Sequence, residues 1–432
     1  MAAWMRHRLY IRYEALSVGT VEADADGVLV FSYEASWLMM AAAFPLSIAL
    51  KLKEGLYRGK AVEAFFENLL PEGSQRRQLE VLTGLPEGDD IAFLQRFGED
   101  CAGALTISVN PEATTPIDAN RRPEVSVSFD DIERAIVEGL PIQSILDDDG
   151  ELPPFSLAGA QAKFPCILRD GAIVMPRDGE PTTHIVKLPI RAGEKLSDSV
   201  QNEFLCMSLA AAAGLNIPNI KLIGEKIPLF VIERFDRQQT PSHTKRLHTQ
   251  DFCQALGRLS REKYERHGGP SFADCYRLLA DESSETAHDQ IAILEWLAYN
   301  LVVGNNDSHA KNLSFLVHEG GLRLAPLYDL VCTTIYKQYN DNFAFKIGET
   351  TSWQKIRPDS IEAFARTLQI TPTFLRSRWL GVFDRVEAAL ANLPEAIGTD
   401  KTLMKTFRKV DKVVQMRLPE LRKHVGQKKS TK

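Results

Sequence analysis

The stretch NNDSHAKN, residues 305–312, carries the strongest functional signal in this chain of 432 residues. It follows an apolar segment with helical periodicity, 291–303, so we expect a helix that leads directly into a polar loop. Asp307 and Asn312 are five residues apart, and Asp329 follows 17 residues after Asn312. Mg2+ is a hard cation that prefers oxygen ligands, which Asp and Asn side chains supply. The stretch therefore predicts a loop at which a carboxylate base and a bound metal act on one substrate.

A hairpin is predicted between these groups. Apolar segments 313–317 and 322–325 flank the turn sequence Glu-Gly-Gly at 319–321, and this hairpin would carry Asp329 back beside Asn312. Protein kinases use the same arrangement. In them an Asp reaches the attacking hydroxyl, an Asn five residues later binds Mg2+, and a second Asp bridges the metal to the nucleotide phosphates. Taken alone the pattern is weak, since Asp and Asn are also common in ordinary turns.

Three upstream segments supply the other parts of a phosphoryl-transfer site. The small residues of SLAGAQAK, 156–163, let backbone N–H groups approach a phosphate, although with only one glycine the segment taken alone favours an ordinary turn. Lys187 lies in a short apolar strand pattern, 184–188, where its ammonium needs an anion unless the side chain reaches solvent from an edge strand. Glu203 on the next predicted helix is either a partner of Lys187 or an exposed residue. The strand pattern 229–233 then runs into a polar segment, where a hinge would hold an adenine ring.

The order of these parts is more informative than any single part. The loop, the strand lysine, the helix with a glutamate, the hinge and the three catalytic-loop residues follow one another as in a kinase. Strands come first and helices second, which predicts a two-lobed α+β fold. We expect an N-terminal α+β subdomain at 1–110, a sheet-containing lobe with the nucleotide-binding loop at 111–240, and a helical lobe with the catalytic loop and a basic tail at 241–432.

Together these segments resemble the HipA family of serine/threonine kinase toxins from bacterial toxin–antitoxin systems. The resemblance extends over nearly the whole chain. The matching phrases are Ser156–Lys163, Thr183–Pro189, Asn202–Glu203, Glu233–Arg237, Asp307–Asn312, Tyr328–Asp329, Phe65–Pro71, Gly98–Thr106, Asp251–Gly257 and Gly268–Pro270. Each phrase is short, but their combination is specific. The resemblance implies a protein-kinase-like fold and the use of ATP and Mg2+.

The resemblance also implies a role for individual residues. Asp307 would be the catalytic base, and Asn312 and Asp329 would hold Mg2+. Lys187 would contact the ATP phosphates. The residues implied in ATP binding are Ala158, Gly159, Ala160, Gln161, Ala162, Lys163, Lys187, Glu233, Arg234, Phe235, His309, Ala310, Lys311, Asn312, Tyr328 and Asp329.

Regulation and partners follow from the same resemblance. Ser156 corresponds to the serine that family members autophosphorylate, and its modification accompanies an outward-swung loop and an inactive kinase. A phosphoserine adds about two negative charges, which would repel the ATP phosphates. Family members pair with a HipB-like helix-turn-helix antitoxin that binds operator DNA, and known targets include an aminoacyl-tRNA synthetase. The chain departs from the family pattern at Ala162, where Glu is frequent, and at Ser308, where Gly is frequent.

The composition excludes several other classes of protein. The formal net charge is -6, so we expect DNA affinity to come mainly from the partner, although the last 32 residues hold 11 basic and two acidic residues. This tail is either a solvated helix with a frayed lysine-rich end or a contact for nucleic acid or an acidic partner. The apolar stretch 37–50 contains Pro45 and is too short to span a membrane. Six scattered cysteines and the lack of a secretory signal predict reduced thiols in a cytoplasmic protein.

Two other functions remain open at this stage. A lipid or small-molecule kinase is one, because the pattern Asp307-x-His309-x-x-Asn312 also resembles phosphoinositide-kinase loops. A catalytically silent corepressor that acts with a DNA-binding partner is the other. The presence of Asp307, Asn312 and Asp329 argues against the silent corepressor. A lipid kinase should carry a basic or amphipathic element near its catalytic loop, and only the distant tail qualifies.

Overall fold

The computed structural model describes residues 8–111, 125–140, 142, 157–159, 161–176, 180–190, 198–224, 226–241, 243–337, 342–398 and 400–427. Ser156 and Ala160 of the predicted site lie outside these ranges. The chain divides into two compact units. Unit 1 consists of Met1–Leu188 and Ile223–Ser260, and unit 2 consists of Pro189–Leu222 and Arg261–Lys432. The predicted boundaries at residues 110 and 240 stay predictions.

The regular elements are named in chain order. Those in the first 142 residues are β1 (Leu9–Tyr13), β2 (Leu16–Ala23), β3 (Leu29–Tyr33), α1 (Ala35–Leu38), β4 (Leu56–Arg58), α2 (Lys60–Glu67), α3 (Gly73–Thr83), α4 (Asp90–Phe97), β5 (Leu105–Ser108), β6 (Val125–Val127) and α5 (Phe129–Glu138). Those up to residue 260 are β7 (Lys163–Arg169), β8 (Ala172–Met175), β9 (His184–Lys187), α6 (Ser199–Ala212), β10 (Ile220–Ile223), β11 (Leu229–Glu233), β12 (Arg237–Gln239), β13 (Thr244–Arg246), β14 (Thr249–Asp251) and α7 (Phe252–Ala255).

The remaining elements are mostly helical. They are α8 (Phe272–Glu282), α9 (Thr286–Val303), β15 (Ser314–His318), β16 (Gly321–Leu324), β17 (Asn342–Ile347), β18 (Thr350–Ser352), α10 (Pro358–Thr367), α11 (Pro372–Ile397) and α12 (Lys401–Gly426). The predicted helix before the catalytic loop, the hairpin after it and the strand that carries Lys187 are confirmed. No helix within the described ranges is both long enough and apolar enough to cross a membrane.

Unit 1 contains two antiparallel sheets with separate cores. The first sheet has the order β4-β3-β2-β1-β5, and its apolar face packs on α2 and α4 through aromatic residues such as Phe31, Phe66 and Phe97. In the second sheet β11, β9, β7, β8 and β6 are successive neighbours. Its core includes Phe164, Val186 and Val231 together with Ile132 of α5. Buried residues alternate with partly buried ones along β5 and the first four residues of β1, as expected for strands with one face on a core.

A buried cluster of ion pairs joins the end of α4 to the end of β11. Asp100 accepts hydrogen bonds from Arg237 Nη2 at 2.8 Å and from Arg234 Nη1 at 3.4 Å, and Arg246 Nη1 lies 3.3 Å away. Arg234 Nη2 donates to Asp236 at 2.8 Å. Burial alone would raise the pKa of Asp236, but Arg234 and Arg237 lower it well below its ordinary value. Each charge in the cluster has a partner, as burial requires.

His248 gives unit 1 a testable pH dependence. The imidazole is buried, stacks on Phe44 at a ring separation of 4.7 Å, and donates from Nε2 to the carbonyl of Leu46 at 2.8 Å. Burial lowers the pKa of His248 from 6.5 to about 4. Between pH 6.5 and about 4, His248 is therefore mostly protonated in the unfolded chain but mostly neutral in the folded protein. Stability from the neutral ring is fully present above pH 6.5 and is lost as the pH falls toward 4.

We expect the free energy of unfolding to fall by roughly 3 kcal/mol between pH 7 and pH 4 because of this residue. Urea unfolding at a series of pH values measures the slope. His248→Gln should be less stable at neutral pH but should show a flatter profile between pH 6.5 and 4. An equally steep profile in this variant would show that other groups cause the loss.

Unit 2 is built around the buried helix α9, which packs against α8, α11 and α12. Trp296, Tyr299 and Val303 on α9 are fully buried. The basic tail forms α12 as far as Gly426, with one apolar face buried and lysines on the exposed face. Arg417 is an exception, because its whole side chain is buried. All six cysteines are buried free thiols, as predicted.

Candidate active site

The predicted catalytic loop begins where α9 ends at Gly304, and a buried asparagine organises it. Asn305 Nδ2 donates to Asn300 Oδ1 on α9 at 2.8 Å and to the carbonyl of Asp329 at 3.3 Å. Asn305 Oδ1 accepts the backbone N–H of Asp307 at 3.1 Å. One side chain therefore links the last turn of α9 to both carboxylate-bearing segments. The sequence analysis did not single out Asn305, although it lies in the stretch that was quoted.

Asp307 and Asn312 are brought together by a short turn. Asn312 Nδ2 donates to the backbone carbonyl of Asp307 at 3.0 Å, and the N–H of His309 donates to the same carbonyl at 2.9 Å. Ala310, Lys311 and Asn312 form a single 3-10 turn, and all three are buried. The Asp307 side chain is only partly buried. The turn holds the backbone of Asp307 and leaves its side chain partly exposed.

The hairpin of β15 and β16 returns the chain to the loop, as predicted. Tyr328 Oη donates to the carbonyl of Lys311 at 2.9 Å and lies 2.7 Å from Ser314 Oγ. Asp329, the next residue, has a φ of +59°, a region that Asp and Asn adopt more readily than most other residues. Such strain is often found at functional sites. Asp329 is partly exposed, and its backbone carbonyl bonds to Asn305.

Arg417 of helix α12 bonds to residues at and near the start of the predicted catalytic loop. Its Nη1 donates to the carbonyl of Leu301 at 3.2 Å, and its Nη2 donates to Thr334 Oγ1 at 2.8 Å. Thr334 Oγ1 donates in turn to the carbonyl of Gly304 at 2.9 Å. The guanidinium carbon also lies 5.0 Å from the centre of the Trp353 ring, a cation–π distance. The C-terminal helix thus holds the start of the catalytic loop, a role that its lysine-rich sequence did not indicate.

The predicted phosphate loop is anchored in unit 1. The backbone carbonyl of Gly159 accepts the N–H of Glu72 at 3.0 Å. Gly159 has a φ of +107°, a backbone conformation that residues with a side chain rarely adopt, so the position favours glycine. Gln161 Nε2 donates to the carbonyl of Leu188 at 2.9 Å, and the carbonyl of Ala162 accepts the N–H of Leu188 at 3.0 Å. These bonds attach the loop to the residue that follows Lys187.

Two lysines meet on the neighbouring strands. Lys163 of β7 is paired directly with Lys187 of β9, so their side chains lie on the same face of the sheet. Lys187 is buried, with 6% of its surface exposed, and Lys163 is partly buried. Like charges directly opposite one another destabilise a sheet unless an anion offsets them. Together with the loop beside them, the two lysines suit a bound phosphate.

The predicted hinge residues differ from one another in their surroundings. Glu233 pairs with His184 at the end of β11, and Phe235 is partly buried. The Arg234 guanidinium is used entirely inside the buried ion-pair cluster, and it also donates to the carbonyl of Cys101 at 2.8 Å and to Thr182 Oγ1 at 2.9 Å. The Arg234 side chain therefore stabilises the hinge instead of pointing toward a nucleotide. The sequence motif did not separate this residue from its neighbours.

The oxygen donors of the catalytic loop fit a magnesium ion that is bound together with a nucleotide. The described part of the chain has no group of three or more His, Cys, Asp or Glu side chains that could hold a metal ion. Mg2+ in nucleotide sites commonly takes only one or two carboxylates and completes its shell with phosphate oxygens and water. Asp329 would supply such a carboxylate, and Asn312 would supply an amide oxygen. This donor set suits Mg2+ better than a metal that needs a complete protein cage.

Comparison with known proteins identifies the family. Residues 9–108 match the HipA N-terminal domain, and residues 155–393 match the HipA-like C-terminal domain. The chain belongs to the HipA family. A kinase-family protein of Sinorhizobium fredii, Y4mE, is 35% identical over 392 residues, which are 90% of this chain and 92% of the relative. The resemblance seen in the sequence is thus confirmed.

Two comparisons with HipA of Shewanella oneidensis, one of sequence and one of structure, support the enzyme class and the fold. The serine/threonine-protein kinase toxin HipA of Shewanella oneidensis is 29% identical over 88% of this chain and 87% of its own length. The HipA chain in a Shewanella oneidensis MR-1 complex of HipA, HipB and operator DNA has a TM-score of 0.79 at 24% identity and covers 96% of this chain and 99% of its own. The predicted HipA-like α+β fold is confirmed, and so is the prediction of an enzyme of the kinase class.

Tyr264 is a second residue of the loop region that the sequence analysis missed. Its hydroxyl donates a hydrogen bond to Asp307 Oδ1, although 43 residues separate the two in the chain. Tyr264 precedes the Gly268–Pro270 phrase, and that phrase was noted only for its resemblance. A tyrosine beside basic residues carries no distinctive pattern, so only the tertiary structure reveals the contact.

Proposed function

We propose that this HipA-family chain is an ATP-dependent serine/threonine protein kinase that acts as a bacterial toxin. Asp307 accepts the proton of the substrate hydroxyl as the γ-phosphoryl group is transferred. Asn312 and Asp329 hold Mg2+. The observation that carries the proposal is the link from Asn305 to both Asp307 and Asp329, because it joins the base and a metal ligand in one rigid loop. Positioning and charge neutralisation are what phosphoryl transfer requires of a protein.

The nucleotide side of the site is assigned to unit 1. Lys187 contacts the ATP phosphates, and Ala158–Lys163 forms the loop that covers them. Glu233–Phe235 borders the adenine, with Arg234 contributing through its support of the hinge. The pairing of Lys163 with Lys187 supports this assignment, since two adjacent positive charges favour a polyanion. In unit 2, the family resemblance assigns His309 and Tyr328 to nucleotide binding.

The partners are proposed from the family. A HipB-like helix-turn-helix antitoxin neutralises the kinase and carries most of the affinity for operator DNA. The Shewanella oneidensis complex of HipA, HipB and operator DNA supports this assembly, because its HipA chain has the same fold. The protein substrate is a translation component, with an aminoacyl-tRNA synthetase as the first candidate. We place the protein in the cytoplasm, where these partners are found.

Incubation with Mg-ATP followed by intact-mass and peptide mass spectrometry tests the proposal. A protein kinase should gain phosphate on itself or on an added protein, and the Asp307→Asn variant should not. Phosphate transfer to lipids or small molecules only would favour a lipid or small-molecule kinase. Neither transfer nor ATP binding would favour a silent corepressor that acts with a DNA-binding partner.

Self-modification gives a separate prediction at Ser156. We expect one added phosphate on Ser156, followed by a fall in activity as its charge repels the ATP phosphates. Ser156→Ala should stay active for longer in the presence of ATP and should lose that phosphopeptide. A time course of transfer to a protein substrate, beside peptide mapping, measures both effects. Equal loss of activity in wild type and Ser156→Ala would contradict the self-inhibition.

A further inference from the structure

A tightly wound segment, 262–269, presents one tyrosine to the catalytic loop. Within it the backbone carbonyl of Tyr264 accepts the N–H groups of His267 at 3.0 Å and Gly269 at 3.1 Å. A Cβ at Gly269 would lie 1.8 Å from the carbonyl oxygen of Glu262, so no larger residue fits there. The carboxylate of Glu265 accepts the N–H of Lys346 at 2.8 Å, which attaches the segment to β17. The backbone of Tyr264 is therefore held in place within unit 2.

The ring of Tyr264 is held as firmly as its backbone. The guanidinium carbon of Arg266 lies 4.3 Å from the ring centre, within cation–π range. His309 of the catalytic loop meets the ring edge-on, at a centroid distance of 5.0 Å and an angle of 83°. His267 makes a similar contact at 5.5 Å and 74°. These contacts fix the direction of the hydroxyl, which donates to Asp307 Oδ1.

We infer that Tyr264 is a positioning residue for Asp307, a role that rests on the proposed function of Asp307 as the base. The backbone of Asp307 is already fixed by bonds to Asn305, His309 and Asn312. Those bonds do not fix the carboxylate, because the last torsion of an Asp side chain has a broad energy minimum. The tyrosine hydroxyl bonds to the carboxylate itself, so it constrains the torsion that sets where the two carboxylate oxygens point.

The geometry favours this role over a purely structural role in the core and over a role as phosphoryl acceptor. Tyr264 contributes little to the core, since its side chain is only partly buried and its hydroxyl bonds to a partly exposed carboxylate. A hydroxyl on the base could also be a phosphoryl acceptor. An acceptor has to approach the phosphate, however, whereas Arg266, His267 and His309 hold this ring in a fixed place.

Tyr264→Phe tests the inference, because it removes the hydroxyl and keeps the partly buried ring. We expect kcat for phosphotransfer to fall about 10- to 100-fold, as for a misplaced catalytic group, while KM for ATP and the melting temperature change little. Tyr299→Phe is the matched control. The Tyr299 hydroxyl donates to the carbonyl of Cys206 at 2.5 Å in the core, away from Asp307, so its loss should lower the melting temperature and leave kcat unchanged.

The outcomes separate this inference from the proposed function. If wild type transfers phosphate, Asp307→Asn does not, and Tyr264→Phe keeps the wild-type kcat, the positioning role is wrong and the proposed function stands. A rise in KM for ATP equal to the fall in kcat would also overturn the role. So would phosphate found on Tyr264 by peptide mapping, since the hydroxyl would then be an acceptor. A wild-type protein without any transfer would overturn both.

Discussion

Asp307→Asn is expected to lower kcat for phosphotransfer by about 100- to 10,000-fold, the usual contribution of general acid–base catalysis. The asparagine side chain has nearly the same shape, so it can keep the contact to the Tyr264 hydroxyl and the bonds of the loop backbone. It cannot accept a proton from the substrate hydroxyl. Binding of ATP should survive, because the nucleotide contacts are assigned to other residues. Radiolabelled transfer and calorimetric titration with ATP measure the two quantities.

Asp281→Asn is the control for this change. Asp281 is an exposed aspartate on α8 in the same unit, and its neutralisation removes one negative charge without touching the loop. We expect wild-type kcat from it. Transfer by Asp307→Asn within a few fold of the control would show that another group is the base, or that positioning alone is sufficient.

Asp329→Asn is expected to raise the Mg2+ concentration needed for activity by at least about tenfold and to lower kcat as well. A tenfold loss corresponds to about 1.4 kcal/mol of binding free energy. The cause is the removal of the carboxylate charge from the metal, since an amide oxygen is a weaker ligand for a hard cation. The fold should tolerate the change, because asparagine adopts a φ near Asp329's +59° as readily as aspartate does.

Activity measured over a range of Mg2+ concentrations at fixed ATP tests this prediction. Asp307→Asn is the matched comparison, because it should reduce transfer without moving the Mg2+ midpoint. If the midpoint of Asp329→Asn equals that of wild type, Asp329 is not a metal ligand. Partial recovery of Asp329→Asn at high Mg2+ would distinguish a weakened metal site from a damaged fold.

Much of the local structure could be predicted because it depends on residues that are close in the chain. The helix 291–303 was visible from its apolar content and its terminal glycine, and α9 ends at Val303. The hairpin after Asn312 was visible from the Glu-Gly-Gly turn, and β15 pairs with β16 around it. β12 and β13 were missed, since each has only three residues, mostly polar, and no apolar alternation.

In the candidate site, too, some features could be predicted from the sequence and others could not. Spacing and order singled out Asp307, Asn312 and Asp329, and these residues do lie in or beside one loop. Spacing could not show that the Arg234 guanidinium is buried against Asp100 and Asp236. A polar residue after a strand has the same sequence pattern whether it contacts a ligand or an internal partner, so only the packed structure distinguishes the two cases.

By itself, the sequence indicated the family, the order of the elements and the candidate residues for a phosphoryl-transfer site. The tertiary structure decided how that site is supported. Tyr264 bonds to Asp307 across 43 residues, Arg417 to Leu301 across 116, and Arg237 to Asp100 across 137. Helical periodicity and turn chemistry act between neighbours in the chain. Contacts between distant residues depend on how whole elements pack, and no short pattern in the sequence records them.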